Sequence, residues 1–398
     1  MRTKSALSWA LILSLVGLGL AGYLIFLHLG LLRGELLGGP ACSTGVLNCH
    51  AVTSGPLGSL FGMPLAFWGV LGYLAMLGLV LVGQQFPDWA AQAVKLLFVL
   101  ALLSVLVDLW LCFSMVFLIR MYCLFCLLTY AVNLSLLLVA WRGVEAPRSA
   151  VIAQAAPVLG TLFAPGRHPA VRIWWGLMFV GALGTVGVHA AATFVSQGPW
   201  GAVQKQVREY VAKQRRMAVD IAGDPAVGPV AAPIQIVEFS DFFCAACQRA
   251  SKMNTIILAN HRRDAQFVFK HYPLDMTCNE KITRSVHPGA CQVAAAAECA
   301  HAQGKFWAFH DLVFEQGHDY KLANLDTDAA ALGVDMTRFH ACLESGEGAA
   351  AVKRDIAEGI KVGVASTPTY FINGIPFTGG MTPPAFEAVT GVLRDTSR

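Results

Sequence analysis

Two Cys-x-x-Cys pairs are the residues of this chain best suited to chemistry. Cys123-Leu124-Phe125-Cys126 opens a run that stays apolar to Trp141, and Cys244-Ala245-Ala246-Cys247 directly follows the alternating stretch Ile234 to Phe239. Two thiols at the head of a helix can close a disulfide and reopen it by thiolate attack. The positive end of a helix favours the thiolate, which makes Cys244 the attacking sulfur and Cys247, one turn inside, the resolving one. Zinc would require a second ligand pair at similar spacing; none follows in place, so no metal is expected. At the edge of a membrane helix, Cys123 and Cys126 can meet a lipid-soluble redox partner on one side and aqueous thiols on the other. Cys42 and Cys49 flank the loop Ser43 to Asn48. A loop pair beside a membrane-edge pair is more than a staple needs and points to a relay, in which a thiolate of one pair attacks the disulfide of the next.

Two kinds of structure must position these sulfurs. Of 398 residues, 56% are hydrophobic and only 14% charged, so part of the chain belongs in lipid. The net charge of +4 gives no reason to expect nucleic acid, and eleven cysteines fit an oxidising compartment. Apolar runs at Leu7 to Leu32, Pro64 to Val82, Ala93 to Ile119, Tyr122 to Trp141 and Ile173 to Val195 read as five spans, each of the order of 20 residues needed to cross a bilayer. No Ala-x-Ala site follows the first, so it reads as a retained helix. Short connections, with a tight turn at Arg120, make the first four a compact bundle. Arg2 and Lys4, and Arg142, Arg148, Arg167 and Arg172, mark the cytoplasmic side. That places Cys42, Cys49, Cys123, Cys126 and everything after Val195 outside. Lys205, Arg208, Lys213, Arg215 and Arg216 run against this bias, but a long translocated domain is weakly governed by its own charges. Asp108 lies inside the third span, where an acid costs roughly 2.5–3.5 kcal/mol. It is expected to face the bundle in a structural hydrogen bond, with a proton relay as the alternative, too deep to be assigned to the dithiol, and Cys112 is expected as a small core residue.

From Ile234 the composition turns globular. The order strand, helix, strand, helical insertion, two strands around Asn373-Gly374 and a closing helix from Pro384 to Leu393 is that of a thioredoxin-like α/β domain. Thr367-Pro368 precedes the later strand, where such folds carry a cis proline facing the dithiol and an edge for extended polypeptide. Cys278 and Cys291 span a loop containing His287-Pro288-Gly289, and Cys299 with Cys342 ties two helices of the insertion; four cysteines allow three pairings, of which these are favoured as structural disulfides. The fold class is thus a membrane all-α four-helix bundle plus a fifth transmembrane helix, followed by a soluble thioredoxin-like domain with a helical insertion. Its parts are residues 1–145 (bundle), 146–172 (cytoplasmic loop), 173–196 (fifth span), 197–232 (linker) and 233–398 (thioredoxin-like). Trp200 to Met217 reads as a basic amphipathic helix, a spacer lying along the membrane surface.

The run Val237-Glu238-Phe239-Ser240-Asp241-Phe242-Phe243-Cys244 and the Thr367-Pro368 pair resemble the DsbA family of thiol-disulfide oxidoreductases, over Ile234 to Leu393. The resemblance implies that Glu238 is a buried carboxylate beneath the dithiol that eases proton transfer. That family usually has Pro-His between its cysteines; here Ala-Ala stands there. Cys42, Cys49, the stretch Phe61 to Gly69 and Cys123-x-x-Cys126 followed by Thr129-Tyr130-Ala131-Val132-Asn133 resemble the vitamin K epoxide reductase family, over Leu7 to Arg142. Bacterial members are often fused to a thioredoxin-like domain through a fifth span, as this chain is. That resemblance implies that Cys126 lies beside a quinone and passes electrons to it, that Cys123 exchanges with Cys49, and that Cys42 accepts electrons from the soluble domain. It also implies a quinone site of Cys126, Tyr130, Phe61 and a serine, Ser59 or Ser54.

The expected activity is a quinone-dependent generation of disulfides in exported cysteine-containing proteins. Electrons run from Cys244/Cys247 through Cys42/Cys49 and Cys123/Cys126 to ubiquinone or menaquinone in a bacterial inner membrane, with the N-terminus cytoplasmic and the thioredoxin-like domain periplasmic. The alternatives are a disulfide reductase or isomerase with the same wiring, and a membrane redox sensor or scaffold whose cysteines only crosslink.

Overall fold

The structure is a computed structural model. It describes residues 2–33, 35–37, 39, 42, 46–55, 57–145, 147, 152–153, 155–163, 168–197 and 202–396. Arg148 and Arg167, used for orientation, lie outside the described residues, as do residues 43–45 of the cysteine loop and Trp200. The chain forms two compact units, Met1–Trp200 and Gly201–Arg398.

The first unit contains α1 (Arg2–Leu32), β1 (Leu47–Asn48), the short α2 (Cys49–Ser54), the hairpin β2 (Ser59–Leu60) and β3 (Met63–Pro64), then α3 (Leu65–Gln85), α4 (Ala90–Phe113), α5 (Leu124–Gly143), α6 (Ala155–Gly160) and α7 (Pro169–Gln197). Five of these helices are long and apolar enough to cross a membrane. In lipid nothing hydrophobic drives helix against helix, so close packing at small residues must. A Cβ at Gly17 of α1 would stand 2.1 Å from the ring of Tyr73 on α3, and one at Gly143 of α5 would stand 2.5 Å from Ala6. α1 packs on α3 and α5, α4 on α3 and α5, and α7 on α3, where the Trp174 indole N–H donates to Ala75 O at 2.9 Å. α4 runs on into a π-helical turn, Ser114–Ile119, and ends at Arg120, whose φ of 57° and ψ of 33° make the expected tight reversal.

The second unit begins earlier than expected. α8 (Ala202–Lys213) and β4 (Ala226–Val227) precede β5 (Ile234–Ser240), α9 (Ala245–Asn260) and β6 (Ala265–His271). A helical layer follows: α10 (Ala290–His301), α11 (Phe306–Gln316), α12 (Leu325–Ala331), α13 (Met336–Ser345) and α14 (Glu347–Lys361). β7 (Thr369–Ile372), β8 (Ile375–Thr378) and α15 (Pro383–Thr396) close the chain. The sheet runs β4-β6-β5-β7-β8, with β5 parallel to β6 and antiparallel to β7. β6 is buried at all seven positions and β5 at six of seven, as strands covered on both faces must be.

The linker expected over 197–232 is corrected here: its described part is built into the globular unit rather than spread on a membrane. α8 packs on α15, buries Val211 in the core around Ile234 and Phe267, and its Tyr210 hydroxyl donates to Pro376 O at 2.7 Å. Met217 N–H donates to Gly374 O at 2.9 Å, and β4 pairs antiparallel with β6. Asp224 forms an ion pair with buried Lys270 at 2.6 Å, and Asp355 of α14 holds the same ammonium at 2.8 Å. An apolar stripe on a helix says that something covers it, not what does.

The bridges join Cys278 to Cys291 and Cys299 to Cys342, across 13 and 43 residues. The longer loop constrains the unfolded chain more. Replacing Cys299 and Cys342 together by Ser is therefore expected to cost about 4 kcal/mol, against about 3 kcal/mol for the other pair. Urea unfolding of the two double variants against the parent checks the order.

Candidate active site

The bundle thiols are gathered by backbone pairing. β1 makes a parallel bridge to Tyr122: Asn48 N–H donates to Tyr122 O at 2.9 Å and Tyr122 N–H to Val46 O at 2.8 Å. Asn48 also caps α2, its Oδ1 accepting Ala51 N–H at 2.9 Å, so Cys49 heads α2 just as Cys123 stands at the N-cap of α5. This clamp sets Cys49 against Cys123. Cys42 Sγ lies 2.6 Å from Cys49 Sγ, and Cys123 Sγ accepts Cys126 N–H at 3.2 Å while its thiol also interacts with that of Cys126. The four sulfurs thus follow one another in the order 42, 49, 123, 126. The first three are fully buried and Cys126 is half-buried. Burial pushes the Cys42 thiol up to about 12; the Cys123 thiol and burial hold Cys49 above the ordinary thiol range. Such a pair stays protonated until a partner or base takes the proton.

Cys126 opens onto a cavity of about 370 Å³ in the first unit, lined mainly by apolar groups. Cys126, Tyr130 and Asn133 all border it because i, i+4 and i+7 share a helix face. Asp108 reaches it from α4, its Oδ2 accepting the Asn133 amide at 2.8 Å. The hydrogen bond expected for Asp108 is present, yet the acid shares a wall with Cys126, nearer the dithiol's cavity than its depth in the sequence implied. Among the described residues nothing hydrogen-bonds the Tyr130 hydroxyl. Cys112 is half-buried rather than a core residue.

Ser59 and Phe61, expected at this cavity, do not line it. Ser59 is exposed on β2, and Phe61 is 89% exposed at the hairpin turn, where φ values of 52° at Phe61 and 75° at Gly62 reverse the chain and turn the ring outward. Ser54 is not in the lining either; Thr53, Trp68 and His28 are. The sequence reading also passed over His50, beside Cys49. His50 Nε2 lies 2.8 Å from Leu37 O, while its buried Nδ1, like that of His28, has no partner among the described residues. Adjacency to Cys49 was the one available signal.

In the second unit, β5 delivers the chain to Cys244 at the N-cap of α9. Its thiol donates to Thr367 O at 3.5 Å, and the Thr367–Pro368 peptide is cis. The Cys247 thiol and the N–H groups of Cys247 and Ala246 pull Cys244 down to about 5, against its own burial. Burial holds Cys247 far above the usual range. Beneath the pair, Glu238 is 1% exposed on the central strand; Asn254 donates to its Oε2 at 2.6 Å and in turn accepts the Tyr370 hydroxyl at 3.0 Å. Oε1 has no hydrogen-bond partner among the described residues, and burial lifts the carboxyl to about 7. A carboxyl balanced between its two states at neutral pH can take the proton that Cys247 must lose.

Paired thiols in a bundle of helices long and apolar enough to cross a membrane are thus joined in one chain to a thioredoxin-like dithiol. Residues 8–141 match the model of the vitamin K epoxide reductase family and residues 221–390 a thioredoxin model. Solved structures resembling part of the chain include oxidised BdbD from Bacillus subtilis (21% identity, 46% of this chain and 99% of that one, TM-score 0.38). Another is alpha-DsbA1 from Wolbachia pipientis (17%, 45% and 96%, TM-score 0.37). Among curated proteins, a Na(+)/H(+) antiporter NhaA of Herminiimonas arsenicoxydans is 30% identical over 225 residues, 55% of this chain and 34% of that protein. The NhaA 3 of Salinispora tropica is 34% identical over 156 residues, 39% and 22%. This chain spans between about a fifth and a third of those relatives, so the activity in their names is not carried over.

An unfolded glutamate ionises near 4.5, whereas Glu238 stays neutral to about 7. The fold is therefore favoured by this group below pH 4.5 and loses up to roughly 3 kcal/mol as the pH rises through 7. Glu238→Gln is expected to flatten that decline in urea titrations between pH 5 and 8 while slowing thiol exchange at pH 7 by on the order of 100-fold. An unchanged exchange rate would remove the carboxyl from proton transfer.

Proposed function

We propose that this protein generates disulfide bonds in exported proteins and passes the electrons to a membrane quinone. What carries the reading is the unbroken succession of sulfurs from Cys42 to Cys126, ending at an apolar cavity. Substrate thiols attack the Cys244–Cys247 disulfide; the substrate leaves oxidised, and the two electrons remain as the Cys244 and Cys247 thiols. Cys244 then attacks the Cys42–Cys49 disulfide, Cys49 passes the pair to Cys123–Cys126, and reoxidation of that last dithiol releases two electrons and two protons at the cavity. A quinone held there by Cys126, Tyr130, Asn133 and Asp108 would supply a two-electron, two-proton acceptor. The residues present suit such a group: apolar walls for a hydrocarbon ring system, Cys126 at the edge, and the Tyr130 hydroxyl, Asn133 and Asp108 as polar contacts. Asp108 and Asn133 orient each other; the carboxyl can hold a proton and the amide a hydrogen bond at the cavity wall.

Cys244 supports one direction of flow. A strongly favoured thiolate stabilises the reduced form of a dithiol and so makes its disulfide a better oxidant. This supports oxidation over the reductase reading, despite the alanines between the cysteines. Joining donor and relay in one chain replaces a diffusional encounter with a high effective concentration. The charge pattern supports an N-terminus in the cytoplasm and a thioredoxin-like domain outside the inner membrane.

Purified protein supplied with ubiquinone or menaquinone and a reduced, unfolded substrate is expected to form one quinol per disulfide made, and none after Cys126→Ala. Undiminished turnover in that variant would sink the relay, and no turnover in the parent would leave a sensor or scaffold. Tyr130→Phe should raise the KM for quinone about fivefold, the weight of one hydrogen bond of about 1 kcal/mol. Exchange between Cys244 and substrate should be unaffected, as stopped-flow measurement can show.

A further inference from the structure

The two residues between the cysteines of the soluble pair, Ala245 and Ala246, carry no charge. A histidine from a distant part of the chain nevertheless reaches the residues that lead into Cys244. Asp241, three residues before it, has a fully buried carboxylate, and its carbonyl accepts Cys244 N–H at 3.1 Å. Asp241 Oδ1 accepts Phe243 N–H at 2.8 Å. Oδ2 takes two donors at 2.7 Å, Leu274 N–H and His287 Nδ1. Leu274 closes the ring, since its own carbonyl accepts the N–H groups of Val286 and His287 at 2.9 and 3.2 Å.

The loop that brings His287 in is itself tied. Asp275 accepts Thr277 N–H at 3.1 Å, Ser285 Oγ–H at 2.8 Å and Gly289 N–H at 2.9 Å, and the Cys278–Cys291 bridge spans the same segment. The imidazole is thus fixed at the carboxylate that opens the dithiol turn.

We propose that His287 is a positioning residue for the Cys244 thiolate: held by Asp241, its imidazolium supplies the positive charge that the dipeptide between the cysteines lacks, and it offsets the Asp241 carboxylate three residues before the sulfur. The groups facing His287 are Asp241 and Cys244; those facing Cys244 are Cys247, Glu238 and His287. Asp241, with Cys244 adding to it, holds the imidazole above its ordinary range, so the cation persists where the thiolate forms. The inference rests on Cys244 being the exchanging sulfur, and not on the identity of the terminal acceptor.

The test is the pH profile of Cys244 alkylation by iodoacetamide in the reduced full-length protein, read by mass spectrometry of the peptide carrying it. His287→Gln, which can still donate to Asp241, should move the midpoint up by about one pH unit and slow alkylation about threefold at pH 5.5, with the curves meeting above pH 7.5. It should also lower the equilibrium constant for oxidation of substrate dithiol by this pair up to tenfold. His287→Lys should restore both. A His287→Gln profile lying on the parent's overturns the proposal, and so does an equal shift in the Lys variant, which would mean a role in loop shape rather than charge. A parent midpoint near that of a free thiol, about 8.5, would instead remove Cys244 as the activated sulfur.

Discussion

Thiol-disulfide exchange is a contact reaction: one sulfur must press against another along the bond it breaks, so electrons travel only as far as the backbone can bring sulfur to sulfur. The bundle meets that requirement with few hydrogen bonds. Val46, Asn48 and Tyr122 clip the cysteine loop to the head of α5, and the left-handed turn at Arg120 sends the chain back in time for Cys123 to stand there. If the clip is lost, Cys49 loses the backbone pairing that sets it at Cys123, and the succession of four sulfurs is weakened at its middle step.

The two units solve opposite electrostatic problems with the same element. In both, a cysteine occupies a helix N-cap and the second lies three residues on. In the soluble unit the sulfur gathers backbone N–H groups and the partner thiol, and the thiolate is stabilised. In the bundle the loop thiols are walled in by Leu24, Leu27 and Met115, where a thiolate has no solvent to spread its charge. One site is built to be attacked and to attack; the other keeps its protons until a neighbour arrives. Glu238 lies between these extremes, a carboxyl whose burial has brought it into the range where the soluble pair exchanges.

The cysteines, the spans and the strand order were legible because each is a local pattern: a spacing, a length, an alternation. The pairing of Cys299 with Cys342 and of Cys278 with Cys291 could be ranked from sequence, though not singled out. What escaped depended on which element turns toward which. Ser59 and Phe61 sit close in sequence to the cavity wall, but a reversal at Phe61-Gly62 puts them outside it. Asp108 and Asn133 belong to different helices, 25 residues apart, and meet only when α4 and α5 pack. His287 looked like part of a Pro-Gly loop, since nothing in its neighbourhood names Asp241 as its partner.

The strand β4 has a further consequence. It is only two residues long, yet with Pro225 O accepting Phe269 N–H it covers the outer border of β6, and Asp224 beside it is one of two counter-ions to a buried ammonium. Composition changes near residue 233, and a boundary drawn there would strip β6 of its guard, leaving a flat apolar edge of the kind that recruits strands from other chains. Lys270 would keep a single carboxylate in the interior. The segment that looked like a tether therefore guards an edge of the sheet, and the globular unit takes in residues well before the point where the sequence begins to look soluble.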